Sequence, residues 1–405
     1  MKLWQQVTLG LILGVVFGVL VKDKNVFHYI KPIGDIFINM IKMIIVPLIF
    51  LSLVSGITSM SDPSSIGRIG FKAVVSYLLT TTFAIIIGLT TALLLKPGQG
   101  VVLRFDHLDS INIAPPAQFD LTKFLVDIVP TNAVATLAGN NMLQVVFFAI
   151  FTGLTLNAMG SDGRKMINFF NLFAKLIFKM INIVMSFSPY GAFALTAWVV
   201  GTQGLEVLNS LFKLIISVIL GMSLQYLIFG VLILVFARIS PIPFYRKSLE
   251  YQTIAFSTSS SKATLPTTMR VCTEQLGISK SNTSFVLPIG ASMNMDGMAI
   301  YLGMCAIFFA QATGTTLQPN DYMMIILTAT LGSIGAAGIP GGSMVMLPMV
   351  LSSVHLPIEG VALIAGIDRI LDMIRTTINL TGDATITLII DKSEGTLDEK
   401  VYFSE

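Results

Sequence analysis

Charge is scarce in this chain of 405 residues: Asp, Glu, Lys and Arg together make up 12%. A soluble domain carries about 25%, so water is excluded as the main solvent of its surface. Cysteine is scarcer still. Cys272 and Cys305 are too few for a disulfide framework, and both sit in or beside apolar stretches, where they read as small core residues. The three histidines, His28, His107 and His355, do not cluster, which removes the usual basis for a zinc-type site. No serine–base pair or metal-ligand set stands out, so an enzyme with its cofactor is not expected. What is abundant is apolar: 54% of the residues are hydrophobic and mean hydropathy is +0.81. Runs at 7–20, 43–53, 74–95 and 214–237 are nearly free of charge. Several could cross a hydrocarbon layer of about 30 Å at ~1.5 Å per residue. The chain reads as an all-α integral membrane protein.

Periodicity and punctuation predict helices near 4–22, 33–60, 66–95, 132–160, 164–199 and 205–238, with bends or ends at Pro47, Pro189 and the Gly191/Gly201 pair. Segment 3–21 lacks a cleavage site and ends at Lys22, Asp23 and Lys24, as a retained first helix would. Arg68, Lys72, Arg164, Lys165, Arg238, Arg246 and Lys247 gather on one side of the predicted crossings. The opposite stretch, 97–130, carries Asp106, Asp109, Asp120 and Asp127. The positive-inside rule makes the basic side cytoplasmic, with both termini there if the crossings are even in number.

The last 160 or so residues change character. Two small-residue clusters, 257–266 and 332–343, each interrupt an apolar stretch whose arms are too short to span a bilayer. Each reads as a re-entrant hairpin whose non-helical tip must line a cavity or be buried in protein. After each comes an apolar helix with polar residues. One carries Asn294, Asp296 and Gly297; the other carries Asp368, Asp372, Arg375, Asn379 and Asp383. Steps of 4, 3, 4 and 4 place the latter five on one helical face. Ionisable groups in a membrane helix mark function by default, and paired interrupted segments point to a transporter's binding site. An internal salt-bridge ladder would account for Arg375 with Asp368 but would leave Asp372, Asn379 and Asp383 wanting cations. Small-residue tips expose N–H groups to a carboxylate. Arg375 suits a second carboxylate and Asp372 an ammonium, so the pocket fits an acidic amino acid.

The motifs SSSKATLPTTMRV (259–271), NMDG (294–297), GIPGG (338–342) and DRILDMIRTTINLTGD (368–383) resemble the sodium- and proton-coupled glutamate/aspartate and dicarboxylate symporters. That family includes archaeal aspartate transporters and excitatory amino acid transporters. The resemblance implies eight transmembrane helices, two re-entrant hairpins with inverted repeats, a homotrimer and an elevator mechanism. Scaffold parts would be 1–65 and 132–200. Transport parts would be 66–96 and 201–396, with hairpins at about 248–275 and 321–355 and polar helices at about 284–312 and 358–390. An external linker (97–131) and a cytoplasmic tail (397–405) would complete the chain.

The resemblance also implies roles. Asp372 would hold the substrate ammonium, Arg375 its distal carboxylate, and Asp368 would orient Arg375. Ser261, Met298, Thr376, Asn379, Ser343 and the backbone at Ile339 would complete the pocket. For sodium, one set maps to Gly290, Asn294, Asn379 and Asp383, and a second to Tyr77, Thr80, Thr81, Asn294 and Asp296. A third maps to Ser292, Met295, Ser333, Ile334 and Ala336.

Three positions depart from the pattern. Met298 replaces a threonine whose hydroxyl reaches the substrate, and Lys262 replaces a serine at the first hairpin tip. Leu302 stands where proton-coupled relatives carry glutamate, which argues against proton and potassium coupling there. The expected function is sodium-driven symport of an acidic amino acid, aspartate before glutamate, in the cell (inner) membrane, with lipid and a homotrimer but no nucleic acid as partners. A C4-dicarboxylate or another amino acid within the family, and a ligand-gated anion channel outside its transport role, are the alternatives.

Overall fold

Ser260, Ser279 and Pro189 each mark where one of these helices begins. The computed structural model describes the chain apart from residues 1–2, 22, 24, 59–66, 102, 104–125, 127, 139–141, 205, 336–341 and 405. The described residues form helices and turns, with no strand among them. In chain order the first helices are α1 (Leu3–Leu20), α2 (Asn25–Thr58), α3 (Gly67–Leu95), the short α4 (Ala133–Ala138), α5 (Met142–Ala158), α6 (Gly163–Ser186) and α7 (Ser188–Gln203). They are followed by α8 (Glu206–Leu232), α9 (Ile242–Thr258), α10 (Ser261–Glu274), α11 (Lys280–Met293), α12 (Asp296–Thr313), α13 (Pro319–Gly335), α14 (Gly342–Ser353), α15 (Val361–Ser393) and α16 (Glu399–Phe403). Stretches Arg68–Leu95, Val207–Ala237 and Lys280–Thr313 are long and apolar enough to cross a membrane. Leu79, Leu94, Phe173, Leu227 and Phe236 lie exposed on α3, α6, α8 and the π-helical turn after α8, a surface that suits acyl chains rather than water.

Several expected boundaries shift. The single helix expected at 164–199 is two, because Pro189 occupies the first turn of α7, where its missing N–H goes unnoticed. Pro47 stays inside α2, which begins at Asn25 rather than 33. Only Ser259 and Ser260 of the 257–266 cluster leave the helix. Ser259 turns left-handed (φ 52°) and Ser260 caps α10 by accepting from the Ala263 N–H at 3.3 Å. The tail contains α16, whose Tyr402 is buried and donates to the Ser240 carbonyl at 2.7 Å. Lys247 Nζ caps its carbonyl end, donating to Val401 O at 2.8 Å and Tyr402 O at 2.9 Å. Most of the 97–131 linker lies outside the described residues, but Leu103 is buried and its N–H reaches the Ala312 carbonyl at 2.8 Å. At the other end of α3, Lys72 Nζ (2.7 Å) and Arg68 pair with Glu394. The Lys72 hydrogen bond above all holds that carboxyl below its ordinary range; burial opposes it, and the Arg68 charge adds a smaller lowering.

Two sets of contacts organise the helices. α2 packs against α5, α6 and α7, and α1 runs along α7. In the other set α15 lies against α8, α9, α11 and α12, while α3 crosses α12. The α1–α7 contact depends on Gly10, Gly14 and Gly18, one turn apart. A Cβ at Gly14 would stand 2.6 Å from the Phe193 carbonyl oxygen, a backbone atom that cannot swing aside. Small residues at this spacing let helices approach closely in a bilayer. Gly14→Val should therefore lower stability by about 1–3 kcal/mol through overpacking. Thermal unfolding in detergent checks this; an unchanged midpoint would mean that α1 and α7 are not in contact.

Candidate functional site

The polar face read from the sequence is continuous on α15, and all of it is buried. Asp368 and Asp372 are each 4% exposed, Asn379 is 5%, and Arg375 and Asp383 are 0%. Arg375 is the centre of this face. Its Nη1 donates to Asp368 Oδ1 at 2.8 Å and its Nη2 to Asp372 Oδ1 at 2.9 Å. Ser343, at the start of α14, accepts from Nη2 at 2.7 Å and donates to Asp368 at 2.7 Å. The Tyr301 ring of α12 lies 4.2 Å from Arg375 Cζ, a cation–π contact strengthened by burial. This corrects one expectation: Asp372 is not left without a cation, because one guanidinium serves both aspartates. Arg375 Nε is buried with no hydrogen-bond partner among the described residues, so the guanidinium keeps an unmet donor at that atom. Of the other residues expected to contact substrate, Thr376 donates to the Asp372 carbonyl at 2.8 Å, and Ser261 and Met298 are buried. Ile339 lies outside the described residues. Lys262 is in the first turn of α10, exposed.

The second cluster forms where α11 stops and α12 starts. Asn294 and Met295 leave the helical conformation, and Asp296 opens α12. This break leaves carbonyls of the last turn of α11 without onward helical partners. Asn294 Nδ2 donates to Asp383 Oδ1 at 3.0 Å, and Gly297 N–H donates to Asn379 Oδ1 at 2.8 Å. Gly290 sits so close that a Cβ there would be 2.7 Å from Asp383 Oδ1 and 2.6 Å from the Tyr77 hydroxyl. From α3, Thr80 donates to Asn294 Oδ1 at 3.2 Å and Thr81 to Asp296 Oδ1 at 3.0 Å, while Tyr77 donates to the Val286 carbonyl at 3.1 Å. Asp296 and Asp383 are 0% exposed, and Asp383 Oδ2 has no partner. Two carboxylates, amide oxygens and hydroxyls, with no basic side chain among the described residues hydrogen-bonded to either carboxylate, are surroundings for a hard cation. The first two predicted sodium sets thus fall in one neighbourhood.

The third set is less complete. Ser333 is buried but donates to Thr330 O of its own helix at 2.7 Å, and Met295 is buried while Ser292 is half-buried. Ile334 is at the end of α13, and Ala336 lies outside the described residues. Sequence reasoning missed Tyr301 beneath Arg375. It also missed Gln225 of α8, which donates to Asp296 Oδ2 at 3.1 Å; a lone amide within the apolar run 214–237 was the available signal. Asp391, beyond the helix end expected at 390, is buried too. It accepts from Ser279 and Asn282 side chains at 2.5 and 2.6 Å, fixing the start of α11.

Residues 3–393 match the sodium:dicarboxylate symporter family. The chain belongs to this family. It is 37% identical over 414 residues to a proton/sodium-glutamate symport protein of Bacillus caldotenax, covering 99% of this chain and 97% of that protein. It is also 37% identical over 407 residues to a C4-dicarboxylate transport protein of Bacillus subtilis (strain 168), covering 98% and 96%. Members of the sodium:dicarboxylate symporter family are transporters rather than enzymes. Membership fits a buried, charged helix face inside an apolar helical shell, and places the chain in a membrane.

Proposed function

We propose that this protein couples sodium entry to uptake of an acidic amino acid, aspartate first and glutamate next. The observation that carries this reading is the buried group of Arg375 with Asp368 and Asp372. Two carboxylates share one guanidinium, so the group has a formal charge of −1. A substrate ammonium at Asp372 adds a positive charge there and frees Nη2 to join the unmet Nε in gripping a distal carboxylate. Succinate would draw Arg375 from Asp372 and bring no ammonium in its place, weakening the compensation of a buried carboxylate at a cost of several kcal/mol. Alanine or serine would leave the guanidinium with no new partner. Asn379 and the second hairpin would receive the α-carboxylate, and Ser261 and Thr376 would line the pocket beside Met298.

Sodium is the ion we assign to the Asn294, Asp296, Asn379 and Asp383 neighbourhood, together with Gly290, Tyr77, Thr80 and Thr81. Ser292, Met295, Ser333, Ile334 and Ala336 are proposed for a further ion. Leu302, buried in α12, offers no proton there. Transport by an elevator motion, eight transmembrane helices, a homotrimer and cytoplasmic termini complete the proposal. The second hairpin is its gate, a role supported by Ser343, which joins α14 to Arg375 and Asp368 at 2.7 Å in each case. A C4-dicarboxylate is the second reading, because a relative of 37% identity is named for that substrate.

Uptake of labelled aspartate into proteoliposomes under an imposed sodium gradient tests the proposal. Accumulation above the external level, displaced by glutamate but weakly by succinate, alanine or serine, is expected. Preference for succinate or a neutral amino acid would overturn the substrate, equilibration without accumulation would indicate a channel, and uptake driven by a pH gradient alone would overturn sodium.

A further inference from the structure

Gln225 is 0% exposed on α8, an otherwise apolar helix at this depth. A buried side-chain amide must find partners or incur a desolvation penalty. Here one end is satisfied: Nε2 donates to Asp296 Oδ2 at 3.1 Å. An ionised carboxylate only accepts hydrogen bonds, so the NH2 end is the one that must face it. The other end, Oε1, is buried and has no partner. Asp296 is thereby held at both oxygens, by Thr81 of α3 at Oδ1 and by Gln225 of α8 at Oδ2. A second buried oxygen without a partner lies in the same neighbourhood, Asp383 Oδ2, and Asp296 connects to it through Thr81 and Asn294, which share a contact at 3.4 Å. Unmet acceptors that far from water are the groups a desolvated cation would satisfy.

We infer that Gln225 belongs to the cation site, as the residue that fixes the Asp296 carboxylate from α8 and presents a further oxygen beside it. This rests on the sodium reading above and adds α8 to a site otherwise built from α3, α11, α12 and α15. With the Gln225 bond in place, Asp296 has one orientation; without it, the carboxylate is free to turn about its bond to Thr81, and the site must be organised when the ion arrives. Preorganisation of this kind appears in ion affinity and in discrimination between ions of different radius.

The test uses the full chain in detergent or proteoliposomes, with sodium chloride and lithium chloride as probes. Gln225→Met keeps the length of the side chain and removes both polar ends. Half-saturating sodium for aspartate binding should rise about tenfold or more, the effect of losing one hydrogen bond to a charged group, and the preference for sodium over lithium should shrink. Ser217→Ala is the control. Ser217 is also buried on α8 but donates to the Lys213 carbonyl of its own helix, at 2.8 Å, and its loss should leave both readouts in place. A Gln225→Met variant with lowered thermal stability but unchanged half-saturating sodium and ion preference would overturn the inference, leaving Gln225 a helix tie. If Gln225→Met does not fold, Gln225→Glu, which retains the oxygen and exchanges the donor for a second carboxyl, decides by the same readouts: unaltered values overturn the inference. Wild-type protein that binds aspartate equally without sodium would instead overturn the sodium reading, and this assignment with it.

Discussion

Arg375→Ala should abolish binding of acidic amino acids, weakening aspartate by about two to three orders of magnitude or more. The variant removes the only cation hydrogen-bonded to Asp368 and Asp372 among the described residues, both 4% exposed. The lost contact with the substrate is the smaller part of the effect. Two buried carboxylates lose the guanidinium they shared, and an anionic ligand would have to enter beside them. Truncating one partner of a buried, hydrogen-bonded charge pair costs about 2–5 kcal/mol, and each 1.4 kcal/mol or so is tenfold in affinity. A ligand with an ammonium and no distal carboxylate gains in comparison, because Asp372 becomes available to it. Equilibrium competition against labelled aspartate, run with serine and alanine beside glutamate, measures both effects. Sodium-dependent thermal stabilisation of the same variant shows whether the rest of the site is intact. Retained aspartate affinity in a folded Arg375→Ala protein would remove Arg375 from recognition.

Asp383→Asn should separate sodium from substrate. Asp383 is fully buried, with Asn294 Nδ2 on one oxygen and nothing on the other. A carboxylate so placed is expensive without a cation and favourable with one. Replacing it by a neutral amide therefore has opposite effects in the two states. In sodium-free buffer the variant should be at least as stable as the wild type, since an unpaired buried charge has gone. In sodium it should gain little, because stabilisation by a ligand follows its affinity for the native state. The half-saturating sodium concentration for aspartate binding should rise by about a hundredfold or more, on the scale of a lost charge-to-cation contact. Thermal unfolding across a sodium series, with potassium or choline holding ionic strength, reads both limits. A variant destabilised equally at every sodium concentration would make Asp383 a structural residue.

The sequence disclosed the charged face of α15 because charges recurring at helical spacing inside an apolar helix are too costly to persist unless they face a polar interior. Arm length predicted the hairpins, but the expected non-helical stretch at 257–266 is shorter than the sequence suggested: Ser260 caps the following helix, and most of the cluster is helical. How the charges pair was not legible. Periodicity placed Asp368, Asp372 and Arg375 on one face, but only coordinates show one guanidinium reaching both carboxylates and Ser343 closing over them. Hydroxyls and amides on other apolar helices were harder still. Threonines such as Thr377, Thr381 and Thr385 bond back to carbonyls of their own helix at 2.7–3.0 Å. Thr80 and Thr81 look the same in sequence, and only the resemblance distinguished them. Gln225 and Tyr301 act across helices, through contacts to Asp296 and Arg375 that no local pattern encodes.

The interruption between α11 and α12 has an electrostatic consequence that reaches beyond side chains. Peptide dipoles add along a helix, leaving roughly half an elementary negative charge at its carbonyl end and half a positive one at its amino end. At Asn294 and Met295 the carbonyl end of α11 meets the amino end of α12, and Asp296, in the first turn of α12, offsets the positive end. The negative end of α11 is then left facing the pocket, fixed by the backbone itself. Removal of any one carboxylate, amide or hydroxyl leaves that field in place. Single substitutions should therefore weaken the response to cations in steps rather than extinguish it, and only a change that straightens α11 into α12 would take away the last of the attraction.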